Sequence, residues 1–167
     1  MTEIELLRLI HNGEDIHVEF KKSTNEITKD VYDTVCSFSN RDGGVIVLGV
    51  KDNGDILGIA PDAIDRIKKD FVTAINNGNK INPPLYLNPE TFNVEGRNLI
   101  VIQVPVSSQV CRHHGRIFDR NHEADIDITD NSDMVCNYSG TFSWFSRIFP
   151  GIKATYGWFF LRLKTLL

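Results

Sequence analysis

Cysteine is scarce in this 167-residue chain, and the three present, Cys36, Cys111 and Cys136, contain no Cys-x-x-Cys pair. That spacing argues against a zinc ribbon or thioredoxin-type centre and fits a reducing, cytoplasmic setting. No Gly-x-x-x-x-Gly-Lys-Ser/Thr loop occurs, and no Gly-x-Gly-x-x-Gly opens a helix, so there is no nucleotide-binding motif. Clean apolar runs of membrane-span length are missing, and the acidic start Met1-Thr2-Glu3-Ile4-Glu5 lacks the basic end and apolar core of a secretory signal. Export and a transmembrane segment are not expected. Positive charge is not in excess either: the formal charge is −4, and all 22 acidic residues lie before residue 134 with 14 of the 18 basic ones. A nucleic-acid partner would have to be met by a local basic surface, because the phosphate term depends on which charges face the backbone.

What is present suits one compact domain, with 41% hydrophobic and 24% charged residues. A chain of this size buries roughly two-thirds of its unfolded surface, so its stability requires neither metal nor disulfide. Ile4, Leu7 and Ile10 mark a short opening helix stopped by Asn12-Gly13. From Ile16 to Lys21 the pattern alternates, as in a half-buried strand. Ile27, Val31, Val35 and Phe38 share one helical face, and Asn40 to Gly44 ends that helix. Val45 to Val50 is a continuous apolar run of strand length, the best candidate for the sheet centre. Asp52-Asn53-Gly54-Asp55 signals a tight turn returning through Ile56 to Ile59. A helix follows from Pro61 to about Asn76. Strands are expected over Leu85 to Val94 and Leu99 to Val106, with a further one over Arg116 to Asp119. The sum is an α+β domain with a mixed β-sheet and flanking helices.

The end of the chain has a different character. Eight of the 16 aromatic residues fall between Phe142 and Phe160, among them Trp144, Phe145, Trp158 and Phe159. Residues 1–133 therefore read as the domain and residues 134–167 as an aromatic, basic tail. Packing on the domain, a divergent end, and contact with a membrane surface or a partner are its alternative readings. Homodimerisation is the default expectation for assembly.

Two constellations carry chemistry. A helix between two strands can bring Glu14, Glu19 and Asp52 to one sheet edge beside Lys21 and Lys22. On spacing alone, Glu19 and Lys21 read as well as a solvated pair on a strand face. The second constellation is Arg112-His113-His114-Gly115-Arg116-Ile117-Phe118-Asp119-Arg120, with three arginines and two histidines in nine residues. It offers a local phosphate-contacting edge through Arg112, Arg116 and Arg120. Adjacent strand histidines face opposite sides, so His113 and His114 are not expected to share an ion. Gly43-Gly44 and Gly49 are read as turn and packing positions.

Glu14-x4-Glu19-Phe20-Lys21, then Asn40-x2-Gly43-Gly44, then Leu48-Gly49-Val50-Lys51-Asp52 with the return at Gly58, resemble the Schlafen AlbA-like domain family over roughly residues 10–120. The resemblance implies an α+β domain that binds DNA or RNA. Such domains occur in bacterial transcriptional regulators and helicase-related chains, and in animal Schlafen proteins with endoribonuclease activity. Nucleolytic members carry acids at the positions of Glu14, Glu19 and Asp52. The resemblance thus implies a candidate magnesium or manganese site at these three residues, with Lys21 as a fourth catalytic candidate. Oxygen ligands suit such hard cations, which activate water and stabilise phosphate charge. Three functions follow as expectations: a nucleic-acid-binding regulatory domain, with Lys21, Lys22, Arg112, Arg116 and Arg120 on phosphate; a metal-dependent endoribonuclease acting on structured RNA; and an interaction domain using the aromatic tail.

Overall fold

The computed structural model describes residues 1–122 and 124–139. The elements run α1 (Glu3–Asn12), β1 (Val18–Lys21), α2 (Val31–Asn40), β2 (Gly44–Leu48), α3 (Ile64–Ile75), β3 (Ile81–Asn82), β4 (Glu90–Val94), β5 (Arg97–Val104), β6 (Arg112–His113), β7 (Phe118–Arg120), β8 (Asp125–Asp127) and α4 (Ser132–Ser139). The main sheet has the order β1-β2-β5-β4, with β1 parallel to β2 and the other pairs antiparallel. It is the mixed sheet of an α+β fold. Two small ribbons, β3-β6 and β7-β8, complete the described strands. Of the tail expected over 134–167, residues 140–167 lie outside the described residues, and α4 spans the boundary expected after residue 133.

Each face of the sheet has its own core. On one face Leu6 and Ile10 of α1 cover Phe20, Val47, Leu99 and Val101; on the other α2 and α3 cover Ile46, Leu48, Ile100 and Ile102. This two-sided burial explains the unbroken apolar run of β2. Thr2 starts α1 with a reciprocal capping box: its hydroxyl accepts from the Glu5 amide at 3.2 Å, and the Glu5 carboxylate accepts from the Thr2 amide at 2.6 Å.

Several boundaries shift for local reasons. β1 begins at Val18 because Asp15 and Val18 close a turn, with the Asp15 carboxylate accepting from the His17 amide at 2.7 Å. α2 begins at Val31, four residues later than its apolar spacing suggests, and α3 at Ile64. The strand expected from Leu85 shortens to Glu90–Val94, and Pro89 just before it has no N–H to give a ladder. Gly44 has no room for a side chain: a Cβ there would lie 2.6 Å from the Phe38 ring and 2.7 Å from the His17 carbonyl. Gly49 sits at φ +95°, turning the chain out of β2. Both bear out the turn-and-packing reading.

Candidate functional site

Alternation on β1 sends Phe20 towards α1 and turns Glu19 and Lys21 towards α2. There a charged network fills the space between strand and helix. The Lys21 ammonium lies 2.6 Å from Glu19 Oε1 and 2.7 Å from Asp30 Oδ2, the latter at the start of α2. Glu19 Oε2 accepts from one terminal nitrogen of Arg120, whose other terminal nitrogen reaches Asp125 Oδ1 at 3.2 Å. Asp125 is held in turn by the Thr34 hydroxyl at 2.6 Å and by the Ser37 hydroxyl, both from α2. Two cations thus face three carboxylates, and 101 residues separate Glu19 from Arg120.

Burial and pairing oppose each other in this network. Desolvation would lower the Lys21 pKa, but Asp30 and Glu19 more than offset it, so the ammonium is held above its usual range. Burial would likewise raise the pKa of Asp30, yet the hydrogen bond from Lys21 keeps it below the usual carboxylate range. The Arg120 guanidinium is only 4% exposed and lies 5.2 Å above the Phe38 ring. Expected on a surface edge, it is instead an interior strut, and its position offers little to an incoming phosphate.

Glu14 lies beside this network. Its carboxylate accepts from the Phe20 amide at 2.7 Å. Burial pushes its pKa up, with the neighbouring charges of Glu19 and Asp52 adding to the rise. The three acids therefore share one region, and Asp52 is exposed in the turn after β2. Among the described residues, however, no three Asp, Glu, His or Cys side chains are placed to hold one ion. Glu19 gives one oxygen to Lys21 and the other to Arg120, so this arrangement does not fit a divalent cation.

The exposed cations lie elsewhere. Lys22 faces solvent directly after β1. Arg112 opens β6 and its guanidinium donates to the Gly115 carbonyl at 3.3 Å, across a hairpin tip that exposes His114 and Arg116. Arg116 is 67% exposed and only loosely paired with Asp127 at 3.4 Å. His113 and His114 do not point apart. β6 ends at His113, His114 turns at φ +48°, and the ring centroids lie 4.5 Å apart. His113 is buried, with Nδ1 2.6 Å from Asp33 Oδ1, and it packs against Tyr32, above which Lys80 Nζ sits at 4.5 Å.

Sequence reasoning missed Asp30, Asp33, Thr34, Ser37, Lys80 and Asp125. The signal available for the α2 residues was weak: polar side chains recurring on a helix that is buried almost throughout. Asp125 had a nearer cue, since it pairs directly across the β7-β8 ribbon from Arg120.

Comparison with known proteins adds three findings. The family model described as Schlafen, AlbA_2 matches residues 14–129. The solution NMR structure of the N-terminal domain of a RecG-related protein from Nitrosomonas europaea, named for an ATP-dependent DNA helicase, is similar at TM-score 0.50 and 27% identity. That match covers 64% of this chain and 74% of the other. The crystal structure of the DIP2311 protein from Corynebacterium diphtheriae is similar in fold at TM-score 0.54 and 16% identity, over 83% of this chain and 32% of that one. No curated protein matches the sequence. No helix among the described residues is long and apolar enough to cross a membrane.

Proposed function

This chain belongs to the Schlafen AlbA-like family, and from that premise we propose that it is a nucleic-acid-binding domain of regulatory type whose contacts are made chiefly to phosphates. The observation that carries the reading is the division of its cations into two sets. Lys21 and Arg120 are engaged by carboxylates and hold the frame. Lys22 and Arg116 are exposed and Arg112 is half-buried, with its guanidinium at the β6 hairpin tip, where His114 is exposed as well. A surface pair such as Arg116–Asp127 contributes at most about 1 kcal/mol, so phosphate can displace Asp127 at little cost. The RecG-related neighbour, named for a DNA helicase, supports the same reading.

Binding of this kind is electrostatic and falls with salt. Three phosphate contacts on duplex would weaken affinity about 40-fold between 50 and 200 mM salt. Fluorescence anisotropy with a structured RNA and a DNA duplex, each at both salt concentrations, tests it. Absence of binding to either at the lower salt refutes the proposal.

A ribonuclease reading has support from the shared region of Glu14, Glu19 and Asp52, with the raised pKa of Glu14 as its electrostatic mark. The carboxylate arrangement does not fit a cation, so no metal-assisted step is derived. Structured RNA left intact by the purified protein in manganese would remove this second reading.

A further inference from the structure

We propose that Cys36 and Cys111 form a native modification site, a thiol pair that closes to an intramolecular disulfide clamping the base of the cationic hairpin to α2. The two residues lie 75 positions apart, are both fully buried, and place their Sγ atoms 2.8 Å from each other. Their closeness is built by a neighbour. Asn40, one helical turn beyond Cys36 on α2, accepts from the Cys111 amide through Oδ1 at 2.7 Å and donates to the Cys111 carbonyl through Nδ2 at 3.0 Å. One amide side chain therefore fixes the Cys111 backbone at both polar groups and turns its sulfur towards the helix face that carries Cys36.

The fold leaves each sulfur the other as its partner. Both sulfurs are fully buried, and the hydrogen bond with Cys111 and then burial push the Cys36 pKa up, far from the thiolate that reacts. The pair is accordingly inert to surface reagents while the domain is closed, and it reacts when Cys111 and the two-residue strand β6 lift. The co-reactant is a small-molecule disulfide. One cysteine thiolate attacks it, forming a mixed disulfide and releasing one small thiol; the second cysteine thiolate then displaces the other. The balance is two protein thiols and one small disulfide giving one protein disulfide and two small thiols, with both protein protons passing to the released thiols.

The product would hold Cys111, and with it Arg112 and His113, against the helix that already binds His113 through Asp33. Closing a loop of this length raises Tm by about 10 °C in the chain-entropy picture. The full chain is unfolded in denaturant, which exposes every sulfur, and refolded in a mixture of oxidised and reduced glutathione. The expected product has a mass two hydrogens lower, one titratable thiol in place of three, a 36–111 cross-linked peptide, a native circular dichroism spectrum and the higher Tm. A glutathione adduct, a bond to Cys136, or three remaining thiols in the refolded protein overturns the proposal. The wild-type chain alone decides it, and Cys136→Ser, which must still give the link, guards against misassignment. None of these readouts depends on nucleic-acid binding.

Discussion

Replacing Arg120 with alanine should destabilise the domain by about 3 kcal/mol, at the lower end of the 3–5 kcal/mol typical of breaking a buried ion pair from one side. Its guanidinium is 4% exposed and stands between Glu19 and Asp125, whose side chains are 12% and 13% exposed. The lower end is appropriate because neither acid is left without a partner: Glu19 keeps Lys21, and Asp125 keeps the Thr34 and Ser37 hydroxyls. The loss of the guanidinium stack on Phe38 adds a packing contribution. Urea unfolding should show a lower midpoint at unchanged slope, and Tm should fall by roughly 6–12 °C. Arg120→Met with Glu19→Gln and Asp125→Asn, which removes the stranded charges together, should recover most of the loss. A change below about 1 kcal/mol for Arg120→Ala would refute the interior role assigned to this residue.

Other perturbations probe the remaining parts. Lys22→Ala and Arg116→Ala should each weaken RNA or DNA binding and each reduce the slope of log affinity against log salt by about 1, measured by anisotropy at four salt concentrations. Glu14→Gln should stabilise the protein at neutral pH. The folded pKa of Glu14 is raised, so its ionisation opposes folding, and stability is lost as pH rises from the unfolded value near 4.5 through the folded one. Thermal melts of the variant and wild type should therefore converge below that window and separate above it. Gly44→Ala should cost about 1–3 kcal/mol, because its Cβ would press on the Phe38 ring and the His17 carbonyl, as chemical denaturation would show.

The parts legible in the sequence are those where a single physical demand dominates. The apolar run of β2 follows from burial on both faces, and the alternation of β1 places Phe20 inside and Glu19 on the opposite face. The motif order identified the family and fold. Less could be read where polar groups are buried. Arg120 looks like a surface cation until Glu19 is brought to it from 101 residues away. Asp33 carries no sign of its partner, since His113 reaches it only through the packing of the late ribbons on α2. The His113 and His114 rings come together, against the opposite sides that alternation implies, because β6 ends at His113 and His114 lies one residue beyond it. Apolar spacing continues back to Ile27 and so overstates the length of α2, whereas the helix itself begins only after Asp30, the residue that pairs with Lys21.

Asn40 donates to the Phe118 carbonyl at 2.9 Å as well as gripping Cys111. A single amide thus pins both ends of the segment 111–118, and the backbone between them is tied once more where the His114 amide donates to the Lys80 carbonyl at 2.8 Å. The exposed side chains at positions 114 and 116 can be exchanged while the scaffold beneath stays put, which makes this tip the natural place to graft a new ligand preference onto the same body.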